Sequence, residues 1–272
     1  MVVTIEKYPF ATALVGVLVA SFSLVDGIVI FLAAFIPSFI YMVWIRNTER
    51  YAPEPYNRLV RVFFYGAVVS ITIAVIAELI AISLFNANIQ RAYDIFGKNP
   101  NLSSLVLAVV FAPLIEELSK SIGVFSVRRR MSDIEDGIIY GAAAGLGFAA
   151  TENLLYETSA FFSGGTGAFL QTAVVRSLSS ALLHASASAV VGLGIARSFQ
   201  QGRSWLPYYF AGVIMHGGFN LSASFGILYA GDIGPNAYLI GLMAAFVIAI
   251  GGIMFIRAKI RVLDIQSYGS GR

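Results

Sequence analysis

Cysteine is absent from the 272 residues, so disulfides and thiolate metal sites are excluded. Charge is scarce. Asp, Glu, Lys and Arg make up 12% of the chain, where a soluble domain carries about 25%. Hydrophobic residues account for 58%, and the mean hydropathy is +0.79. This balance excludes an ordinary soluble protein. No stretch is long and polar enough to serve as a linker, so residues 1–272 read as one integral membrane domain. No internal repeat is visible, and no HExxH zinc motif or serine-protease arrangement of Ser, Asp and His occurs. The pI near 9.1 does not signal nucleic acid, because the basic residues sit at the ends of apolar runs, where membrane topology explains them.

What is present is a series of apolar runs of spanning length, about 20 residues each. Eight spans are expected in an all-α polytopic bundle. The run from Pro9 to Ile45 divides near Asp26-Gly27 into an N-terminal span, about Pro9 to Val25, and a second span. The others are about Val62 to Phe85, Leu102 to Phe125, Gly137 to Tyr156, Ala168 to Ala196, Trp205 to Tyr229 and Ala237 to Ile256. The first run lacks a small-x-small cleavage site and is read as a retained span rather than a signal peptide. Most basic residues, including Arg46, Arg128 to Arg130, Arg197 and Arg257, fall on one side. The positive-inside rule then places the chain in the cell membrane with both termini in the cytoplasm. The loop Asn86 to Asn101 is read as a surface amphipathic helix or a substrate gate.

The adjacent acids Glu116 and Glu117 stand inside an apolar span. An ionisable group at bilayer depth costs at least ~2.5–3.5 kcal/mol, so such residues are functional by default. Glu78, Lys120, Glu152, Arg176 and both histidines of the chain, His184 and His216, are also within spans. At 1.5 Å per residue, Glu116, Glu152, His184 and His216 all fall roughly 13–22 Å from one boundary. Four helices, spans 4 to 7, thus bring acids and imidazoles to one depth. Glu116 and Lys120 are four residues apart and share a face, as do Phe148 and Glu152, and His216 and Asn220. Pro113 cannot donate to the Val109 carbonyl, which predicts a kink or an opened turn beside the acids. Arg176 can pair with Glu152 or Glu157. Small residues cluster around Gly141 to Gly147, Ala185 to Ser188 and Gly217-Gly218, where helices can approach closely.

Glu116-Glu117-x-x-Lys120, Phe148-x-x-x-Glu152, His184 and His216-x-x-x-Asn220 together resemble, in order, the four motifs of the PrsW family of intramembrane proteases. That family lies within the wider group holding CAAX prenyl proteases and bacteriocin-processing proteins. Arg50-Tyr51-Ala52-Pro53-Glu54-Pro55 resembles its loop after the first span. The resemblance covers about residues 37–227, leaving the N-terminal span outside. CAAX proteases carry histidine where Glu152 stands, so the chain is similar to PrsW rather than to the prenyl-processing branch.

The resemblance implies hydrolysis of a peptide bond in a membrane-anchored protein, such as a single-span substrate of the anti-sigma-factor kind. In this reading Glu116 is the general base, Glu117 and Glu152 tune it, and His184 holds the water. His216 and Asn220 stabilise the oxyanion, and Lys120 balances charge. Phe148 packs beside the acid, and Arg176 forms a supporting ion pair. No cofactor is favoured. The alternative is a Zn²⁺ ion held by His184, His216 and Glu152, a His₂Glu set. Outside catalysis, a proton-coupled transporter or a non-catalytic membrane scaffold would also place acids and imidazoles at this depth, although transporters commonly show inverted repeats.

Overall fold

The computed structural model describes residues 23–269, which fold as helices joined by short loops, with no strand among them. The elements are α1 (Leu24–Arg46), α2 (Tyr56–Ala87), α3 (Ile89–Phe96), α4 (Leu102–Arg130), α5 (Ile134–Leu178), α6 (Ser180–Gln201), α7 (Leu206–Ile233) and α8 (Asn236–Gly269). By length and composition, six helical stretches suffice to cross a membrane. One of them, Ile134–Gln201, reverses direction at Gly165, so the count becomes seven when its two arms are taken separately. The count of eight depended on the span about Pro9 to Val25, which lies almost wholly outside the described residues.

Local chemistry sets the helix ends. The α1 start is fixed by Ser23, whose hydroxyl accepts from the Asp26 amide at 3.1 Å. The second span, expected to begin at Asp26-Gly27, therefore starts at Leu24, because Ser23 is an N-cap and Asp26 belongs to the first turn. The α5 start is closed reciprocally by Asp133 and Asp136. At Gly165 the backbone takes φ 70°, ψ −163°, a region open essentially to glycine alone. There the chain turns within the expected Ser163 to Gly167 segment. The centre of the expected loop Asn86 to Asn101 folds as the short helix α3.

Long rows of exposed apolar side chains clothe the outer helices, among them Ile76, Ile80 and Leu84 of α2, and Met243, Val247 and Met254 of α8. Apolar surface on this scale requires lipid rather than water. The protein is an integral membrane protein with α5 and α6 at its centre, surrounded by α1, α2, α4, α7 and α8.

α5 and α6 lie antiparallel with their backbones in contact. Gly137, Gly141 and Gly145 recur every four residues on one face of α5. A β-carbon on these glycines would collide with the carbonyl oxygens of Gly192, Ser188 and His184 respectively. Small residues at this spacing let membrane helices approach closely, and here the approach fixes His184 against α5. We expect Gly145→Leu to break this contact and lower both the yield of folded protein and its unfolding temperature. Unchanged thermal unfolding in lipid nanodiscs would show that the glycine ladder does not set the α5–α6 distance.

Candidate active site

The acids, the lysine and the imidazoles expected at one depth converge in the interior. Glu117 and Lys120 are completely buried, and Glu116, His184 and His216 nearly so. α4 carries Glu116, Glu117 and Lys120, α5 carries Glu152, α6 carries His184, and α7 carries His216. The Lys120 ammonium is the hub. Its Nζ lies 2.6 Å from Glu117 Oε1, 3.0 Å from His184 Nδ1 and 3.5 Å from Glu116 Oε2. It also stands 4.6 Å above the Phe148 ring, a position attractive to a cation. Phe148 packs against His184 as well, with centroids 5.4 Å apart.

Two of the three acids are tied down. Glu117 Oε1 also meets His216 Nδ1 at 3.0 Å, while its Oε2 accepts from Ser188 Oγ at 2.8 Å. Glu152 Oε2 accepts from Arg176 Nη2 at 2.7 Å and meets His184 Nε2 at 2.9 Å. Arg176 is fixed in turn by Asn153 Oδ1 at 2.8 Å and Ser180 Oγ at 3.0 Å, and lies over the Tyr156 ring. It pairs with Glu152 and not with Glu157, whose buried carboxylate oxygens have no hydrogen-bond partner. Glu116 differs from the other two acids, because its hydrogen bond to Lys120 is long, at 3.5 Å.

The hydrogen bonds assign the imidazole protons. An ionised carboxylate only accepts, so His216 Nδ1 and His184 Nε2, which face Glu117 and Glu152, carry the hydrogens. An ammonium only donates, so His184 Nδ1, facing Lys120, is a lone pair. His216 Nε2 is likewise left as an acceptor. These two nitrogens lie 3.8 and 3.9 Å from Glu116 Oε2, that of His184 already accepting from Lys120. Both imidazoles thus turn their lone pairs toward Glu116 and their N–H groups away from it.

The geometry does not group Glu152 with His184 and His216 as the alternative zinc set had it. Glu152 stands behind the His184 ring, held by Arg176. The acid facing both lone pairs is Glu116, and Glu116, His184 and His216 bring one ligand atom each within 4.8 Å of one another. Depth along a helix could not show on which side of the ring each acid lies. The donor types fit a zinc ion, since metal-bound histidines commonly donate their second N–H to a carboxylate, as both do here, but the His184 Nδ1 lone pair is taken by the Lys120 ammonium.

Asn220 also departs from expectation. Its amide donates to the Ala108 carbonyl at 2.7 Å rather than to His216 or into the site. Ala108 lies in a π-helical turn, Leu107–Phe111, that ends two residues before Pro113, which is the opened turn expected there. A second π-helical turn, Tyr65–Ser70 in α2, offers the Ala67 carbonyl to Thr151 Oγ1 at 2.7 Å. Such turns occur frequently at functional sites, and both are braced here by side chains from helices that carry site residues.

Ser188, Asn153 and Ser180 are supports that motif reading alone did not single out. Ser188 carried a usable signal, because it stands four residues after His184 and shares its face. Glu78 of α2 is half-buried and within electrostatic reach of Glu116 and Glu152.

Residues 54–250 match the model of the PrsW family, described as intramembrane metalloproteases. Protease PrsW of Clostridioides difficile (strain 630) is 30% identical over 171 residues, 62% of this chain and 65% of that protein. The chain thus spans slightly under two thirds of that relative's length. No solved structure matches it significantly. The family match begins later than the expected 37–227 and extends further toward the C-terminus, into the first part of α8. With four ordered motifs meeting in one buried site and a family match over most of its length, the chain belongs to the PrsW family.

Proposed function

We propose that this protein is an intramembrane endopeptidase in which Glu116 is the general base that activates water. The observation that carries this reading is the contrast among the acids. Glu117 and Glu152 are held by short bonds to cations and imidazoles, whereas Glu116 is only weakly engaged and faces two lone pairs. A general base must be within hydrogen-bond reach of the proton it removes and free to accept it. Since the His184 Nδ1 lone pair already accepts from Lys120, a water beside Glu116 can donate one hydrogen to the carboxylate and the other to His216 Nε2. Its oxygen then attacks the peptide carbonyl carbon. The proton taken by Glu116 passes to the leaving nitrogen as the C–N bond breaks. The buried Lys120 ammonium offsets the negative charge that develops, an effect that is stronger where water is excluded. Asn220, committed to the Ala108 carbonyl, acts as a brace of the α4 turn in this scheme and not as an oxyanion donor. Because the site is buried among helices, the substrate is proposed to be membrane-anchored, and the resemblance to the PrsW family implies a single-span protein of the anti-sigma-factor kind.

A second reading is favoured by the convergence of Glu116 with the two imidazole lone pairs and by the family's description. Glu116, His184 and His216 would hold a Zn²⁺ ion, which when bound lowers the pKa of water and polarises a carbonyl. The position of Lys120 argues for the first reading, because its ammonium already supplies a positive charge 3.0 Å from His184 Nδ1.

The test is cleavage by the pure protein in nanodiscs, using an unstructured fluorogenic protein and a single-span reporter, before and after exhaustive chelation. Cleavage that survives chelation is expected. Loss on chelation with recovery on adding Zn²⁺ would transfer the assignment to the metal reading, and failure to cleave either substrate would overturn the protease reading.

A further inference from the structure

A second acidic cluster lies far from the first, where the α1–α2 loop meets the start of α5 and the end of α8. Glu49, Glu135 and Asp264 are 3%, 0% and 1% exposed, and one carboxylate oxygen of each lies within 4.8 Å of the others. Two of these side chains are oriented by backbone amides. Asp264 accepts from Arg50 at 2.8 Å and Tyr51 at 3.3 Å, and Glu49 Oε2 accepts from Glu54 at 3.1 Å.

Neighbouring acids have obvious partners. Glu54 meets Arg58 at 3.5 Å and accepts from the Tyr140 hydroxyl. Asp136 accepts from the Ser132 and Asp133 amides. The trio is different. Among the described residues no lysine or arginine forms an ion pair with it. Glu49 Oε1 and both oxygens of Glu135 are buried with no hydrogen-bond partner. The Ser267 hydroxyl stands beside Glu135 without a hydrogen bond of ordinary geometry to it.

Buried carboxylates persist when they are paired, protonated or bound to metal. Three oxygen acids with no nitrogen or sulfur donor suit a hard cation and not zinc or copper. We propose that Glu49, Glu135 and Asp264 bind a divalent cation of the Ca²⁺ or Mg²⁺ class, tying the α1–α2 loop to the ends of α5 and α8. Three carboxylates can supply up to six oxygens, the coordination that such ions require.

The test uses the full chain in zwitterionic nanodiscs, stripped with chelator and then titrated separately with Ca²⁺ and with Mg²⁺. Thermal unfolding is followed, together with sensitised Tb³⁺ emission under competition by each ion. The expected result is a rise of several degrees in the unfolding midpoint with at least one ion, since a ligand bound only by the folded state stabilises it. Glu135→Gln and Glu49→Gln should each weaken binding about tenfold or more, because affinity follows ligand charge. Glu116→Gln should bind as wild type does, which separates this site from the proposed catalytic one. If wild type shows no shift with either ion and no Tb³⁺ emission above empty discs, the cluster holds protons only and the proposal fails. Undiminished binding by both Gln variants would overturn it equally, and the wild-type measurements stand even if a variant does not fold.

Discussion

Glu116→Gln should lower the cleavage rate by roughly 10²–10⁴-fold, the range that a positioned general base supplies, while leaving the unfolding temperature almost unchanged. Glutamine keeps the shape of the side chain and an oxygen to accept from Lys120, whose bond to Glu116 is the longest of its three at 3.5 Å. What it removes is the capacity to take a proton from water. The same substitution at Glu117 would act differently, because that carboxylate is engaged by Lys120, His216 and Ser188 together. The measurement is single-turnover cleavage in nanodiscs beside a thermal melt of the same sample. A Glu116→Gln protein that cleaves at a rate comparable with wild type would place the base elsewhere.

The largest expected effect on stability is at Lys120. Removing one partner of a buried ion pair costs about 3–5 kcal/mol, since the other charge is left uncompensated. Lys120→Met keeps the apolar stem and removes the ammonium, stranding Glu117 at the centre of the bundle and withdrawing the donor from His184 Nδ1. We expect a large fall in unfolding temperature together with loss of cleavage. Lys120→Met combined with Glu117→Gln should recover most of the stability, because the stranded charge is then gone, but not the activity. If the single variant melts like wild type, or the double variant is worse than the single, Lys120 is not the electrostatic hub of the site.

These effects are local to residues that were legible in the chain. Glu116, Glu117, Glu152, His184 and His216 are polar or ionisable groups in apolar runs, and the run lengths alone put them at overlapping depths. The four-residue spacing that paired Glu116 with Lys120 survives as a 3.5 Å contact. Less legible was the rotation of one helix about its axis relative to the next. Spacing fixes which residues share a face of one helix, yet it leaves open which neighbouring helix that face meets. For this reason Glu152 could be placed at the depth of His184 but not assigned to the far side of its ring. Asn220 could likewise be placed one turn from His216 without its partner, the Ala108 carbonyl, being foreseen, because a π-helical turn in α4 must first present that carbonyl.

The sequence by itself determined a cysteine-free, lipid-embedded helical bundle and the depth of its polar residues, because an apolar run about 20 residues long has one way to satisfy its backbone in lipid, as a helix. It also determined the family, since the motifs are ordered along the chain. The tertiary structure decided which acid is free and which are restrained. Contact between α5 and α6 backbones at Gly145 and His184 sets the imidazole between Lys120 and Glu152, and only that placement leaves Glu116 facing two lone pairs. It also decided that Glu49, Glu135 and Asp264, which are scattered over more than two hundred residues and share no motif, meet in one buried group. Helix packing brings such residues together through contacts that no periodicity along the chain records.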